Sequence, residues 1–492
     1  MVPTHARERK DSFPKPHSTE TPTMTAPELD DRIETKMRSA GVPTPTITAF
    51  LNALHKVASG ERGMLPESVV EPVSSLPRLD SLEGGGQGGI ALLKQLAIIK
   101  LNGGLGTGMG LDRTKSLIAV KGQDTFLDFV ARQVLHLRGA SGCREPAFYL
   151  MNSFVTRRET LDYIRKYPDL WDENTIDFLQ NRVPRINAKT FEPLSWPAQP
   201  ELEWCPPGHG DFYPALLGSG LLDGLLRRGV KFLFISNSDN LGATIDLKLL
   251  RYFAQSGLSF LMEVAERTAS DRKGGHLASR RTSGRLLLRE SAQCPKADEG
   301  HFQNIERHRF FNTNNLWIRL DHLKVELDRH GGALPLPLIT NTKTADPRDP
   351  KTPEVLQLES AMGAAIECFE HTGAIVVPRA RFSPVKNSAD LLALRSDAYR
   401  VTEDFRLVLD ESRRGQPPVV ELDPVHYKVF ADFEQCFARG APSLVACEAL
   451  KISGKVGFEG GVVCQGKVEF CNPLPEPKMV GAGLYRDSSV RL

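Results

Sequence analysis

Three groups of residues could carry phosphate chemistry. The first lies in IIKLNGGLGTGMGLDRTKS, residues 98–116. Gly103, Gly104, Gly106, Gly108 and Gly110 follow a short apolar run, and Lys115 comes five residues after the last of them. Glycine lets a backbone adopt positive φ and approach a ligand closely. Successive N–H groups in such a loop make an anion-binding concavity, and a lysine adds a compact point charge. The plainer alternative is a tight turn between two elements. Two familiar phosphate loops are excluded. A Walker A loop needs glycine before Lys-Ser, where this chain has Thr114. A dinucleotide fingerprint would need glycine at 109 or 111, which are Met109 and Leu111.

The second group is Asn237-Ser238-Asp239-Asn240, just past the apolar run KFLFIS. A carboxylate at a strand end beside a phosphate loop suits Mg²⁺, which takes one or two carboxylates and completes its shell with substrate phosphates. Alone, Asp239 would read as a turn or cap residue; beside the glycine loop the metal reading is favoured. The third group is polar. PPGHGD (206–211) combines backbone freedom with a donor, His209, although a structural loop with a surface histidine is the alternative. FFNTNNLWIRL (310–320) gathers Asn312, Asn314 and Asn315 between aromatics. Carboxamides donate and accept, as sugar hydroxyls require; an Asn-rich turn is the competing reading. Lys386, in RFSPVK, is a further candidate cation that neither composition nor periodicity singles out. G-x-S-x-G and H-E-x-x-H are both missing from the sequence, so hydrolase readings lack support.

These residues need elements to hold them. The pattern from about 93 onward alternates strands and helices, which predicts an α/β domain with a mostly parallel sheet. Strands are expected at 95–101, 147–152, 231–236 and 260–264. Helices are expected at 125–138, stopped by Gly139, and at 215–228. Ligands of such sheets bind at the carboxyl ends of the strands, where both the glycine loop and Asp239 fall. Helices at 28–40 and 46–59 precede this core, separated from it by a flexible Gly-rich stretch at 84–89. A helix near 426–439 leads to a tail (444–470) of apolar residues spaced by glycines, compatible with a short β-solenoid or with plain hairpins. The division expected is an arm over 1–27, a helical segment over 28–92, a catalytic domain over 93–400, and a helix with β-solenoid over 401–492.

Composition narrows the partners. Across 492 residues, 62 Lys+Arg against 60 Asp+Glu leave a net charge of +2, which does not support a nucleic-acid-coating surface. Eight scattered cysteines form no C-x-x-C, so free thiols in a reducing compartment are expected. No apolar run nears the ~18 residues of a membrane span. The polar N-terminus has no signal-peptide core. A soluble cytoplasmic protein is expected.

Eight segments in order resemble the eukaryotic UDP-glucose pyrophosphorylase (UTP–glucose-1-phosphate uridylyltransferase) family, in particular its trypanosomatid-like branch. They are KLNGGLGTGMG, FLQNRVPRI, EWCPPGHGDFYPAL, FISNSDNLGATID, KGGHL, LLRESAQCP, FFNTNNLWIRL and FSPVKNSADLLALRSDAY, all between residues 100 and 399, within a similarity that runs from about residue 30 to about 470. The resemblance implies a Rossmann-like nucleotidyltransferase core. It implies that Leu101, Asn102, Gly103 and Gly104 wrap UTP by their backbone, with Lys115 on its phosphates. By the same resemblance Gln180 contacts uracil, Gly208 and His209 meet nucleotide and sugar phosphate, Asn237 binds substrate, and Asp239 holds Mg²⁺. Lys386 would contact the reacting phosphates, with Glu290, Asn312, Asn314 and Gly274 toward the glucose. Two departures stand out: Gly108 occupies a position that is Arg in many sugar nucleotidyltransferases, and Thr114 one that is often Pro. The implied reaction joins UTP and glucose-1-phosphate into UDP-glucose and pyrophosphate, reversibly, with Mg²⁺. A broader UDP-sugar or UDP-N-acetylhexosamine pyrophosphorylase is the alternative enzyme. A non-catalytic nucleotide-sugar scaffold is the alternative of another class, with self-association through the C-terminal domain.

Overall fold

The computed structural model describes residues 26–492 apart from 85, 107, 108, 112 and 173–175. The expected N-terminal arm, except for its last two residues, and Gly108 lie outside the described residues. Helices α1 (Ala26–Ser39) and α2 (Thr44–Ala58) occupy the positions their periodicity predicts. Ile33, Met37, Ile47, Phe50, Leu54 and Val57 bury one face of the pair against Val183, Ile186 and Leu358.

One ten-stranded mixed sheet organises the core. Its strands are β1 (Val70–Pro72), β2 (Leu96–Asn102), β3 (Ala147–Asn152), β4 (Asp177–Leu179), β5 (Phe232–Asn237), β6 (Phe260–Glu266), β7 (His276–Arg280), β8 (Leu286–Arg289), β9 (Phe310–Arg319) and β10 (Thr372–Val376). The order is β1-β7-β9-β5-β2-β3-β4, with β6 joining β9 to β10 and β8 beside β7. The block β5-β2-β3-β4 is parallel. Ala97 and Ile99 pack on one face, Ile98 on the other. Burial on both faces is why these strands read as unbroken apolar runs. The register sets Leu101 opposite Asn237 and Asn102 opposite Asn152, so these carboxyl ends lie side by side.

Three local expectations change before the C-terminal part. The helix after Thr125, α3 (Phe126–Ser141), begins with a capping box between Thr125 and Asp128, but it runs past Gly139 and ends at Gly142, φ 66°. The single helix expected at 215–228 is two, Phe212–Gly218 and Leu221–Arg227, because Gly220 turns into the left-handed region at φ 75°. The Gly-rich stretch is helical over Gly86–Leu92. There a Cβ on Gly89 would lie 2.8 Å from Leu247 Cβ, so glycine permits close packing.

In the C-terminal part, β11 (Val419–Leu422), β12 (Ser443–Ser453), β14 (Val462–Cys471) and β16 (Gly483–Arg491) form one parallel sheet, and β13 (Val456–Phe458) pairs in parallel with β15 (Lys478–Val480). Parallel pairing excludes plain hairpins. The helix expected near 426–439 is two short ones, Pro424–Tyr427 and Phe430–Cys436. Their Tyr427, Phe430 and Phe433 belong to the same apolar cluster as α3, Leu450 and Val468. All eight cysteines are free thiols. Among the described residues, no helix is long and apolar enough to cross a membrane.

Candidate active site

The glycine loop leaves β2 and returns on itself. Leu105 bridges Thr114, and the Lys115 N–H donates to Gly104 O at 3.3 Å. The return is anchored by Glu159, whose carboxylate accepts from the Thr114 N–H at 3.1 Å and its hydroxyl at 2.9 Å. A polar anchor thus holds the loop's return at Thr114. Lys115 then reaches across to Asp239, Nζ to Oδ2 2.5 Å, with both side chains about one-fifth exposed. The expected phosphate cation and the expected metal carboxylate face each other directly. Asn102 is nearly buried; its side-chain amide donates to Asn152 and Thr160, and its carbonyl accepts from the Thr156 hydroxyl at 2.8 Å, so it braces the strand end from within. Ser238 N–H donates to Leu101 O at 3.0 Å, locking the two strand ends together.

The PPGHGD loop packs beside this rim. Gly208 has φ 78°, and a Cβ there would lie 2.5 Å from Ser360 O, so glycine is required twice over. Gln180 donates from Nε2 to Gly208 O at 3.0 Å. Its Oε1 lies 2.6 Å from where a Cβ on Gly103 would stand, so Gln180 and the glycine loop are in contact. His209 Nδ1 accepts from the Met362 N–H at 2.9 Å, which leaves Nε2 as the N–H donor. Burial pushes the His209 pKa down to about 4, so the imidazole is neutral. Buried Asp211 accepts from the Asn181 N–H at 2.7 Å and from Thr46, tying this loop to the Gln180 segment and α2. Burial raises the Asp211 pKa to about 7 against those hydrogen bonds.

The third group lies in a strand rather than a turn. In β9 the pairing with β6 slips between Glu263 and Val264, and Asn314 takes φ 58°. This bulge turns Asn312 and Asn314 toward each other: Asn312 Nδ2 donates to Asn314 Oδ1 at 2.8 Å. Asn312 Nδ2 also lies 3.2 Å from where a Cβ on Gly363 would stand, next to the residue that caps His209. The Gly274 Cα faces the Phe311 ring so closely that a Cβ would overlap it, at 2.1 Å. A Cβ on Gly275 would lie 2.5 Å from Glu290 Oε2. Burial raises the Glu290 pKa to about 7. Exposed Lys386 crosses the same aromatic patch, 5.5 Å from the Phe311 ring and 5.9 Å from Phe382. Among the described residues no carboxylate forms an ion pair with it within 4.0 Å.

Sequence reasoning missed the support beneath. Arg381 makes a two-pronged pair with buried Glu263, at 2.8 and 2.7 Å. Trp317 and Asn315 also donate to Glu263, at 2.9 and 3.1 Å. Arg381 donates onward to Thr244 O, and its own carbonyl accepts from Asn240 and Asn315. Both Glu263 oxygens and the Arg381 Nε and Nη2 have partners, and such hydrogen bonding is what lets a buried ion pair hold geometry. The pair fastens the Asp239 loop to the segment carrying Lys386. Buried Lys100 adds hydrogen bonds to Ser236 and Ala243 O, both 2.7 Å; burial and the nearby Arg381 charge lower its pKa to about 7. A lone acid in the apolar run FLMEV was the one available signal.

With this geometry in hand, comparison with known proteins is decisive. The family model described as UTP–glucose-1-phosphate uridylyltransferase matches residues 48–465. The chain belongs to this uridylyltransferase family. Curated relatives of that name include one from Musa acuminata, 40% identical over 435 residues, covering 86% of this chain and 89% of the relative. One from Saccharomyces cerevisiae is 41% identical over 383 residues, covering 77% and 74%. Among solved structures, a mutant UDP-glucose pyrophosphorylase from Leishmania major superposes with a TM-score of 0.88 at 47% identity, over 94% of this chain and 99% of that one. A structure described as UDP-glucose phosphorylase from Trypanosoma brucei gives 0.86 at 50% identity with the same coverage. The candidate site residues expected from the sequence all lie inside the matched span.

Proposed function

We propose that this chain transfers the uridylyl group of UTP to glucose-1-phosphate, forming UDP-glucose and pyrophosphate, and catalyses the reverse reaction. The observation that carries the reading is the joining of three groups at one sheet edge. The glycine loop that leads to the Lys115–Asp239 pair meets the Gln180–Gly208–His209 loop at Gly103, and that loop meets the Asn312–Asn314 pair through Met362 and Gly363. One of the Leishmania major structures is a complex with UDP-glucose, which supports the same substrate class here.

The chemistry suits these residue types. A phosphate oxygen of the sugar phosphate attacks the α-phosphorus of UTP. A new P–O bond forms, the α–β bridge breaks, and pyrophosphate leaves with the electron pair. The nucleophile carries about 1.5–2 negative charges near pH 7, so no general base is needed. The site must bring two polyanions together in line and stabilise spread charge. On this reading the backbone of 101–104 and Lys115 hold the triphosphate, and Gln180 reads uracil. Asn237 and the neutral His209, through Nε2–H, donate to substrate at the junction. Glu290, Asn312, Asn314 and the Gly274 backbone flank the sugar. Lys386 meets the reacting phosphates, where a donor placed for developing charge acts mainly on kcat.

Asp239 is the residue that would hold Mg²⁺. The donor set fits: Asp239 is a single carboxylate beside a phosphate loop, and Mg²⁺ draws its remaining oxygens from phosphates and water. When bound, the ion would neutralise phosphate charge. The C-terminal strands are read as one short β-solenoid. In support, Leu450 lies opposite Val468, Val468 opposite Ser488, and Val456 opposite Lys478, parallel steps of 18–22 residues.

The test is turnover by the purified chain. UTP with glucose-1-phosphate should release pyrophosphate in a divalent-dependent manner, with galactose- and N-acetylglucosamine-1-phosphate far poorer. Equal turnover of all three would replace the reading with a broad UDP-sugar pyrophosphorylase, and binding without turnover would replace it with a scaffold.

A further inference from the structure

Lys115 and Lys386 come from distant segments, yet the segments that follow them are fastened to each other. After Lys115 the chain enters a short strand, Ala119–Lys121; after Lys386 it enters a helix, Ser388–Arg395, capped by Asn387. Each of these ends in a cation that donates to the other. Half-buried Lys121 points Nζ at the carboxyl end of the helix, 2.5 Å from Ser396 O and 2.8 Å from Tyr399 O, with Arg395 O at 3.3 Å and Leu394 O at 3.4 Å. A cation here satisfies terminal carbonyls and opposes the helix dipole. Arg395 returns the contact, donating to Ala119 O from Nη2 at 2.7 Å and from Nε at 3.1 Å. Its remaining nitrogen, Nη1, meets Glu434 Oε1 at 2.5 Å, on the C-terminal helix Phe430–Cys436.

We propose that Lys121 and Arg395 form a reciprocal clamp that sets the spacing of Lys115 and Lys386, which makes both positioning residues for uridylyl transfer. The proposal rests on the roles assigned above to those two lysines. Lys386 is exposed, so its placement depends on its backbone. That backbone is tied to the clamped helix, since the Lys386 N–H donates to Asp390 Oδ2 at 2.7 Å. Shifting the helix along Ala119–Lys121 therefore moves Lys386 relative to Lys115. A displacement near 1 Å at reacting groups costs on the order of a hundredfold in rate. Glu434 orients the Arg395 fork, so the C-terminal part of the chain supports the same spacing.

The experiment uses full-length Lys121→Met and Arg395→Met, each in the wild-type and Lys386→Ala backgrounds, with kcat, KM for UTP and thermal midpoint measured. The expected result is a fall in kcat of roughly tenfold to a hundredfold, with KM for UTP changed less than about threefold. In the Lys386→Ala background the same substitutions should lower kcat by less than about threefold, because the group they position is gone. Should either Met variant fail to fold, Glu434→Ala removes only one guanidinium contact and should show the same non-additivity with a smaller loss. Wild-type kcat in the folded clamp variants, or losses that multiply with Lys386→Ala, would overturn the clamp while leaving the Lys386 assignment standing. Wild-type kcat in Lys386→Ala itself would overturn that assignment, and the clamp with it.

Discussion

Because Lys115 and Asp239 face each other, removing the lysine should tighten divalent-metal binding in the absence of nucleotide. A metal that takes Asp239 must first displace the ammonium from Oδ2. At 2.5 Å and an effective dielectric near 20, the bare attraction is about 7 kcal/mol. Both side chains keep about a fifth of their exposure, at 20% and 19%, and desolvation offsets much of that attraction. A hydrogen bond between charged groups nets about 1.5–3 kcal/mol. At about 1.4 kcal/mol per decade, Lys115→Met should tighten Mn²⁺ binding to the free enzyme by roughly 10- to 150-fold. The same substitution should weaken UTP. In the wild-type protein UTP should itself tighten Mn²⁺ binding, since phosphates draw Lys115 away from the carboxylate, and linkage makes the effect reciprocal. The assay is Mn²⁺ titration by electron paramagnetic resonance, with and without UTP. Unchanged or weaker nucleotide-free Mn²⁺ binding in Lys115→Met would refute the competition, and with it the assignment of Asp239 as the metal carboxylate.

Two more outcomes follow from the geometry. Gln180→Ala removes a carboxamide held between Gly103 and Gly208, and should lower the UTP-over-CTP ratio of kcat/KM by about tenfold, the scale of one hydrogen bond; an unchanged ratio means that Gln180 does not read the base. Glu290 has its pKa raised by burial from 4.5 to about 7, so the folded state keeps a proton that the unfolded chain releases between those values. The cost of burying the charge is therefore nil below about pH 4.5, grows through the window and is complete above pH 7. Glu290→Gln should accordingly stabilise the fold at pH 8 by up to about 3 kcal/mol and far less at pH 5, measured by urea unfolding; a gain equal at both pH values would contradict this origin.

The chemistry-bearing segments were legible in the sequence because each is local. A buried strand followed by glycines, a Pro-Gly-His loop and a carboxylate just past KFLFIS announce themselves within a dozen residues. Strand burial on both faces produces apolar runs, so β2, β3, β5 and β6, four of the ten strands of the sheet, were readable to within a few residues. Where a glycine lay inside a helical pattern, periodicity could not tell whether it ends the helix, as Gly220 does at φ 75°, or is carried through, as Gly139 is. That depends on whether the backbone must turn there, which neighbours decide. Asn312 and Asn314 read equally well as a turn, because only pairing with β6 creates the bulge that aims them.

What no local pattern could supply was partnership. Lys115 and Asp239 are 124 positions apart, and Glu263 and Arg381 are 118 apart. An ion pair at such separation exists because sheet register brings two strand ends or loops within reach, and register is set by the packing of both sheet faces at once. Lys386 could be named only through resemblance, and Lys121 and Arg395 carry no sequence signal at all. By itself the sequence determined the residue types, the loops and the strand ends at which phosphate chemistry is possible. The tertiary structure alone decided which cation meets which carboxylate and what holds them there, because those contacts form only after the core has packed.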